Sequence, residues 1–186
     1  MPLLFKKNVV PSGLLGIWAI EESEDYFREQ LVWSDQEIEQ LQRMPHPTRR
    51  IEWLASRYLL HHLSGRTIRG ACLKDAYGKP YLENSPFHIS ISHSNKLAAV
   101  MAAPHLVGVD VQLVVPKIER IASKFLGQAE MDSIQSAHKI EHLHVYWGAK
   151  EALFKAYGKK ELNFFNLITF LNNFFFFNFL IECKPL

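Results

Sequence analysis

Apolar residues occupy alternate positions from His88 to Ser92 and again from Leu106 to Gln112, flanking the continuous apolar run Leu97 to Ala103. A period of two is the mark of strands. The middle of the chain is therefore committed to a sheet. In the first segment Ile89 and Ile91 point inward, while His88, Ser90 and Ser92 take the other face. In the last, Val107, Val109 and Val111 share one face, and Gly108, Asp110 and Gln112 share the other. Leu14 to Ile20 reads as an earlier strand after the Pro11-Ser12-Gly13 punctuation.

Helical spacing surrounds these strands. Ser34 followed by Glu37 has capping-box spacing, which predicts a helix from Asp35 to about Arg43. Pro45 and Pro47 end it, and Pro47 fits the first turn of the next helix. In that helix Ile51, Leu54, Ala55, Tyr58 and Leu59 recur at helical spacing, Gly65 supplies the stop, and Arg50 and Arg57 lie on one face. Tyr77-Gly78-Lys79-Pro80 is a turn by composition. Helical patterns return at Lys117 to Leu126, Gln128 to Ala137 and about Glu141 to Tyr157. The two blocks, joined near Pro104, predict an α+β protein of two related lobes, residues 1–104 and 105–186.

Composition narrows the function classes. With 48% hydrophobic and 22% charged residues, a 186-residue chain can bury a core. A net charge of +2 does not argue for bulk binding to nucleic acid or membrane, though it leaves room for a local basic site. Cys72 and Cys183 have no metal-ligand spacing and suggest no disulfide framework, so a reducing cytoplasm is expected. Lys6 and Lys7 precede no apolar run of signal-peptide length, so no secretion leader is expected.

The stretch from Phe164 to Ile181 carries no charge. Three readings stand side by side. By length it could span a membrane, but Asn166, Asn172, Asn173 and Asn178 are costly in lipid. It could form a hairpin, Leu167 to Leu171 and Phe174 to Ile181 about an Asn172-Asn173 turn. Or it is an aberrant or truncated tail, and no function rests on it.

Three segments hold polar groups that need explaining. Asp110 sits in a valine-rich strand, where a packed carboxylate must be paired or bind metal. A hydrated carboxylate on an exposed face is the simpler alternative. Gly108, on the same face, lets a ligand approach the backbone. In Trp147 to Gly158, Glu151 and Lys155 emerge from one helix face at i, i+4, as a surface ion pair would, or as a metal carboxylate beside a phosphate-binding ammonium. Trp147 could simply be core. Ile91-Ser92-His93-Ser94 ends a strand in a histidine flanked by hydroxyls, a structural feature or a ligand contact.

Together, in this order, Val107 to Gln112 and Trp147 to Lys155 resemble the two signature motifs of the 4′-phosphopantetheinyl transferase superfamily: a Gly-hydrophobic-Asp strand and, some forty residues on, a Trp-x-x-Lys-Glu-Ala-x-x-Lys helix. Gly78-Lys79-Pro80, Ser92-His93-Ser94 and the Arg50-to-Arg57 helix look like upstream motifs of its larger, two-lobed, broad-specificity branch. The resemblance spans roughly residues 14 to 160. It implies two similar α/β lobes with mainly antiparallel sheets, in pseudo-twofold arrangement around one site, in a monomer. It implies Mg²⁺-dependent transfer of the 4′-phosphopantetheine arm of coenzyme A to a serine of an acyl or peptidyl carrier protein, with Mn²⁺ as the alternative ion. Fatty acid or secondary-metabolite synthesis is the implied setting.

The resemblance further implies that Asp110 and Glu151 bind the metal, a ligand set Mg²⁺ prefers when phosphate oxygens complete it. Glu151 takes the serine proton, and Lys155 neutralises the leaving 3′,5′-ADP. Lys150, Lys79, Ser92 and His93 serve the phosphates, and Arg50 the 3′-phosphate. Many members carry an acidic residue where this chain has Gln112. Gln112 can still ligate through its amide oxygen or a water, but it removes a negative charge, which predicts weaker metal affinity with activity retained. Leu113 and Val114 also depart from polar residues of some relatives, and the second lobe is expected to be short after about residue 160.

Two competing classes remain at this stage. One is a coenzyme A- or carrier-binding protein with degenerate activity. The other is a metal hydrolase using the close histidines His138, His142 and His144 or the adjacent His61-His62, which no acidic pattern accompanies.

Overall fold

The computed structural model describes residues 3–9, 12–159 and 183–184. Its center is an antiparallel sheet in the order β1-β2-β6-β5-β4-β3, made of β1 (Leu3–Val9), β2 (Gly13–Ala19), β3 (Cys72–Lys74), β4 (Pro80–Leu82), β5 (His88–Ser94) and β6 (Leu97–Ala103). Alternation along β2 and β6 splits the side chains cleanly. Trp18, Ala98 and Val100 enter one core with Ile89, and Leu15, Ile17, Ala99 and Met101 enter another. The sheet is covered on both faces.

The first face carries α1 (Glu24–Gln30), α2 (Asp35–Gln42) and α3 (Pro47–Ser64). The α3 helix starts with Pro47 in its first turn and stops at Gly65, whose φ of 62° is left-handed, as its sequence signals require. It buries Leu54, Leu59 and Leu60 against the sheet. The expected capping box of α2 is present, with Ser34 and Glu37 bonded reciprocally.

Glu37 does more than cap. It is fully buried, ion-paired with Arg69 through both carboxylate oxygens, and accepts the Cys72 N–H at 3.1 Å. Burial alone pushes this carboxyl up, but the Arg69 guanidinium and two backbone N–H groups outweigh it and hold it below its ordinary value of 4.5. A carboxylate depressed in the folded state stabilises the fold above its unfolded value, and that contribution is lost as pH falls through the folded value. Glu37→Gln is expected to cost about 3 kcal/mol at neutral pH, because it leaves Arg69 buried without its counter-charge. Urea unfolding from pH 7 down to pH 3 should show the wild-type advantage shrinking on the acid side.

The second face is covered differently from the sequence expectation. Leu106 to Gln112 is not a sheet strand; only Gln112–Leu113 (β7) is extended in a ladder, paired in parallel with Cys183–Lys184 (β8). Val107, Val109 and Val111 are buried as the alternation predicts, but they pack onto the sheet's face and not its edge. A peptide lying across a face cannot reach the strand amides. The β5 serines substitute: Ser90 Oγ accepts the Val109 N–H at 3.0 Å and Ser92 Oγ accepts the Val111 N–H at 3.1 Å. Both serines, on the face opposite Ile89 as the alternation predicts, are consequently buried.

Beyond this strap the expected helices are present in altered form. Pro116–Lys124 is a 3₁₀ helix, α4 is only Gln128–Asp132, a short 3₁₀ turn covers Ser136–His138, and α5 runs Lys139–Tyr157 to a left-handed Gly158. The first pattern ends at Phe125, which leaves helical geometry with φ −130° and ψ −12° and whose carbonyl accepts from the Lys150 ammonium. Residues 160–182, including the proposed Leu167–Ile181 hairpin, lie outside the described residues. No described helix is long and apolar enough to cross a membrane.

Candidate functional site

The strap crosses α5 closely enough to fix which residues meet. A Cβ on Gly108 would stand 1.7 Å from the Ala152 carbonyl oxygen and 3.0 Å from the Ala156 nitrogen. At the strap's other end, Gln112 Nε2 donates to the His144 carbonyl at 3.1 Å, and Val115 N–H donates to His144 Nε2 at 2.9 Å. The strap therefore runs antiparallel to α5, with Asp110 opposite the turn that carries Glu151 and Lys155.

Those three side chains converge. Lys155 Nζ lies 2.7 Å from Asp110 Oδ1, and also donates to Ser92 Oγ at 2.9 Å and to the Val109 carbonyl at 3.2 Å. Ser92 Oγ in turn donates to Asp110 Oδ1 at 3.0 Å. One hydroxyl thus ties together the sheet, the strap and the helix. Glu151 is half-buried beside them. Burial pushes its carboxyl up, Lys155 opposes that, and the negative charge of Asp110 reinforces it. A carboxylate next to a second negative charge attracts a cation, and here the Lys155 ammonium, 2.7 Å from Asp110 Oδ1, meets part of that demand.

His93 borders the cluster. Its Nδ1 lies 2.9 Å from Oε2 of Glu52, a buried carboxylate on α3. Burial pulls the imidazole's proton affinity down, Glu52 works against this, and Lys155 and Arg57 add to the fall. Nothing in the helical periodicity distinguishes Glu52, so it was missed; only the packing of α3 under β5 brings it to His93. Ser90 was also missed as a support, although its alternation with Ser92 carries that signal.

Lys79 reaches α5 from the turn before β4. Its Nζ donates to the Ala156 carbonyl at 2.5 Å, capping the helix end, and burial lowers its proton affinity. A groove of about 360 Å³ opens here between the Tyr77–Pro80 turn and α5, lined by Lys79, Ile91, Phe154, Lys155 and Lys159 among others. Three ammonium groups along one groove suit a polyanion.

Other expected site residues sit elsewhere. Lys150 is fully buried on another side of α5, ion-paired with Glu130 at 2.7 Å and bonded to the Phe125 carbonyl. Lys150, expected to serve the phosphates, is here a structural clamp, and leaving that pocket would strand Glu130. Arg50 pairs with Glu24 at 2.9 Å and bonds the Met44 and Pro45 carbonyls, so it braces α1 against α3. Trp147 packs edge-on against Phe125 with centroids 5.0 Å apart. His138 and His142 have ring centroids 6.4 Å apart, and no group of three or more His, Cys, Asp or Glu with metal-holding geometry occurs among the described residues.

Comparison with known proteins matches this arrangement. The family model of the 4′-phosphopantetheinyl transferase superfamily matches residues 106–178, which include both the strap and α5. The chain is 29% identical over 111 residues, 58% of its length, to a 4′-phosphopantetheinyl transferase of Aneurinibacillus migulanus. It is 29% identical over 124 residues, 63% of its length, to the 4′-phosphopantetheinyl transferase AcpT of Escherichia coli O157:H7. The matched stretches span 46% and 63% of those relatives. Across its strap and Lys-Glu helix, the chain is similar to members of the 4′-phosphopantetheinyl transferase superfamily.

Proposed function

We propose that this chain transfers 4′-phosphopantetheine from coenzyme A to a serine hydroxyl of an apo acyl or peptidyl carrier protein. The observation that carries the reading is the convergence of Asp110, Glu151 and Lys155 about Ser92 beside a lysine-lined groove. Residues 1–104 and 105–186 are assigned as two lobes with this site between them, in a cytoplasmic monomer of the larger, broad-specificity branch.

The residues divide the labor of phosphoryl transfer. Lys79 and Lys155 orient the pyrophosphate along the groove, and His93, held by Glu52, serves the phosphates. Glu151, whose carboxyl is pushed up by burial, takes the proton of the acceptor serine. As the serine oxygen bonds to phosphorus, the bond to 3′,5′-ADP breaks, and Lys155 stabilises the negative charge on that leaving group. Asp110 and Glu151 supply carboxylate oxygens that fit Mg²⁺, or Mn²⁺, which when bound would neutralise pyrophosphate charge. Gln112 is the third candidate ligand, with its amide nitrogen engaged by His144.

That engagement favors a second reading, a coenzyme A-binding protein with inefficient transfer. One assay separates them: labeled pantetheine transfer from coenzyme A to several apo carriers, with Mg²⁺ and with chelator. Transfer by the wild type and none by Glu151→Ala is expected. Equal activity in both proteins removes Glu151 from the chemistry, and tight coenzyme A binding with no transfer establishes the second reading.

A further inference from the structure

On the α3 face of the sheet, away from the Asp110 cluster, a guanidinium is buried without an ion-pair partner among the described residues. Arg57 is 4% exposed and stacks 3.6 Å over the Trp53 ring. Its Nη1 donates to the Trp53 carbonyl and to Ser56 Oγ, both at 3.2 Å, and its Nε has no partner among the described residues. Arg69 is neutralised by Glu37; Arg57 makes no ion pair of its own among the described residues. A buried guanidinium with an orphaned donor calls for an acceptor.

A small cavity of about 10 Å³ lies against this side chain, lined by Arg57, His61, Arg66 and Arg69. It has room for about one oxygen-sized atom. Leu60, Ser64, Arg66 and Leu82 also line a second, apolar cavity of about 150 Å³, whose other walls include Leu14, Leu63 and Phe87. A cavity of that size accepts a benzene-sized body. The two are therefore neighbors, a cationic cavity beside an apolar one, with Leu60, Ser64, Leu82 and exposed Arg66 lining both.

We infer that these paired cavities form a binding site for a small apolar monocarboxylate, its carboxylate oxygen among Arg57, Arg66 and Arg69 and its body between α3 and the sheet. The charge sets the head group and the leucine walls set the tail. A neutral analogue of the same shape leaves the arginines unanswered. The inference is independent of the transfer reaction, because it uses none of the residues assigned to it.

Phenylacetate and its isosteric neutral amide, phenylacetamide, are the probes, titrated calorimetrically into the full chain. Phenylacetate is expected to bind saturably at one site, at least tenfold more tightly than the amide. Arg66→Glu should weaken phenylacetate at least tenfold and leave the amide unchanged. Ala102→Leu, which grows into the apolar cavity, should weaken both, with circular dichroism confirming that each variant is folded. Saturating coenzyme A should not displace the probe. No saturable phenylacetate binding at millimolar concentration, equal affinity for the amide, indifference to Arg66→Glu, or displacement by coenzyme A each overturns the inference.

Discussion

Asp110→Ala is expected to lower kcat/KM for pantetheine transfer on the order of 10²–10³-fold, the usual effect of deleting one preorganised charge from a transition-state site. Asp110 is the acceptor that holds both Ser92 and Lys155, so its loss removes the carboxylate proposed to bind metal and releases the ammonium from its station. The fold should tolerate the change. Lys155 is 27% exposed and keeps the Ser92 hydroxyl and the Val109 carbonyl, so roughly 1 kcal/mol of stability is at stake. The measurements are steady-state transfer across a Mg²⁺ titration, together with a thermal melt. A variant that is as active as the wild type at every Mg²⁺ concentration would remove the carboxylate pair from the reaction.

Gly108→Ala is expected to act through the fold. The added methyl meets the Ala152 carbonyl oxygen at 1.7 Å and its carbon at 2.6 Å, and both are backbone atoms of a helix interior that cannot turn aside. The strap must lift from α5, which separates Asp110 from Glu151 and Lys155. Overpacking of this kind costs about 3 kcal/mol, and for a chain of this size that lowers the melting midpoint by roughly 6–12 °C. Transfer should fall with it even at temperatures where the protein remains folded. Differential scanning calorimetry and the transfer assay at 15 °C test the two halves separately; a midpoint within two degrees of wild type, with transfer intact, contradicts the close approach.

The sequence was most legible where local chemistry decides structure. The Ser34–Glu37 box, Pro47 and Gly65 set the helix limits, and the alternation of Val107, Val109 and Val111 marked the buried face correctly. The Asp110, Glu151 and Lys155 motif pointed to residues that the fold brings together. What could not be read is what depends on three-dimensional neighbors. Alternation gives the face of an extended segment but not whether it joins a ladder, and that is decided by Ser90 and Ser92 accepting from the strap. Lys150 and Lys155 carry the same charge on the same helix, yet five residues of rotation place one in a sealed pocket with Glu130 and the other at the cluster. Arg50 and Arg57 share a helix face, but neighboring α1 and β3 decide that one braces a junction and the other is buried without a carboxylate.

The serine rungs under the strap have a mechanical consequence. A strand woven into a ladder shares its amides with neighboring peptides, and shifting it tears a row of bonds at once. Val109 and Val111 hang instead from rotatable hydroxyls, so the segment bearing the acidic residue can be nudged by an incoming ligand as a beam on two pivots while the platform beneath it stays whole.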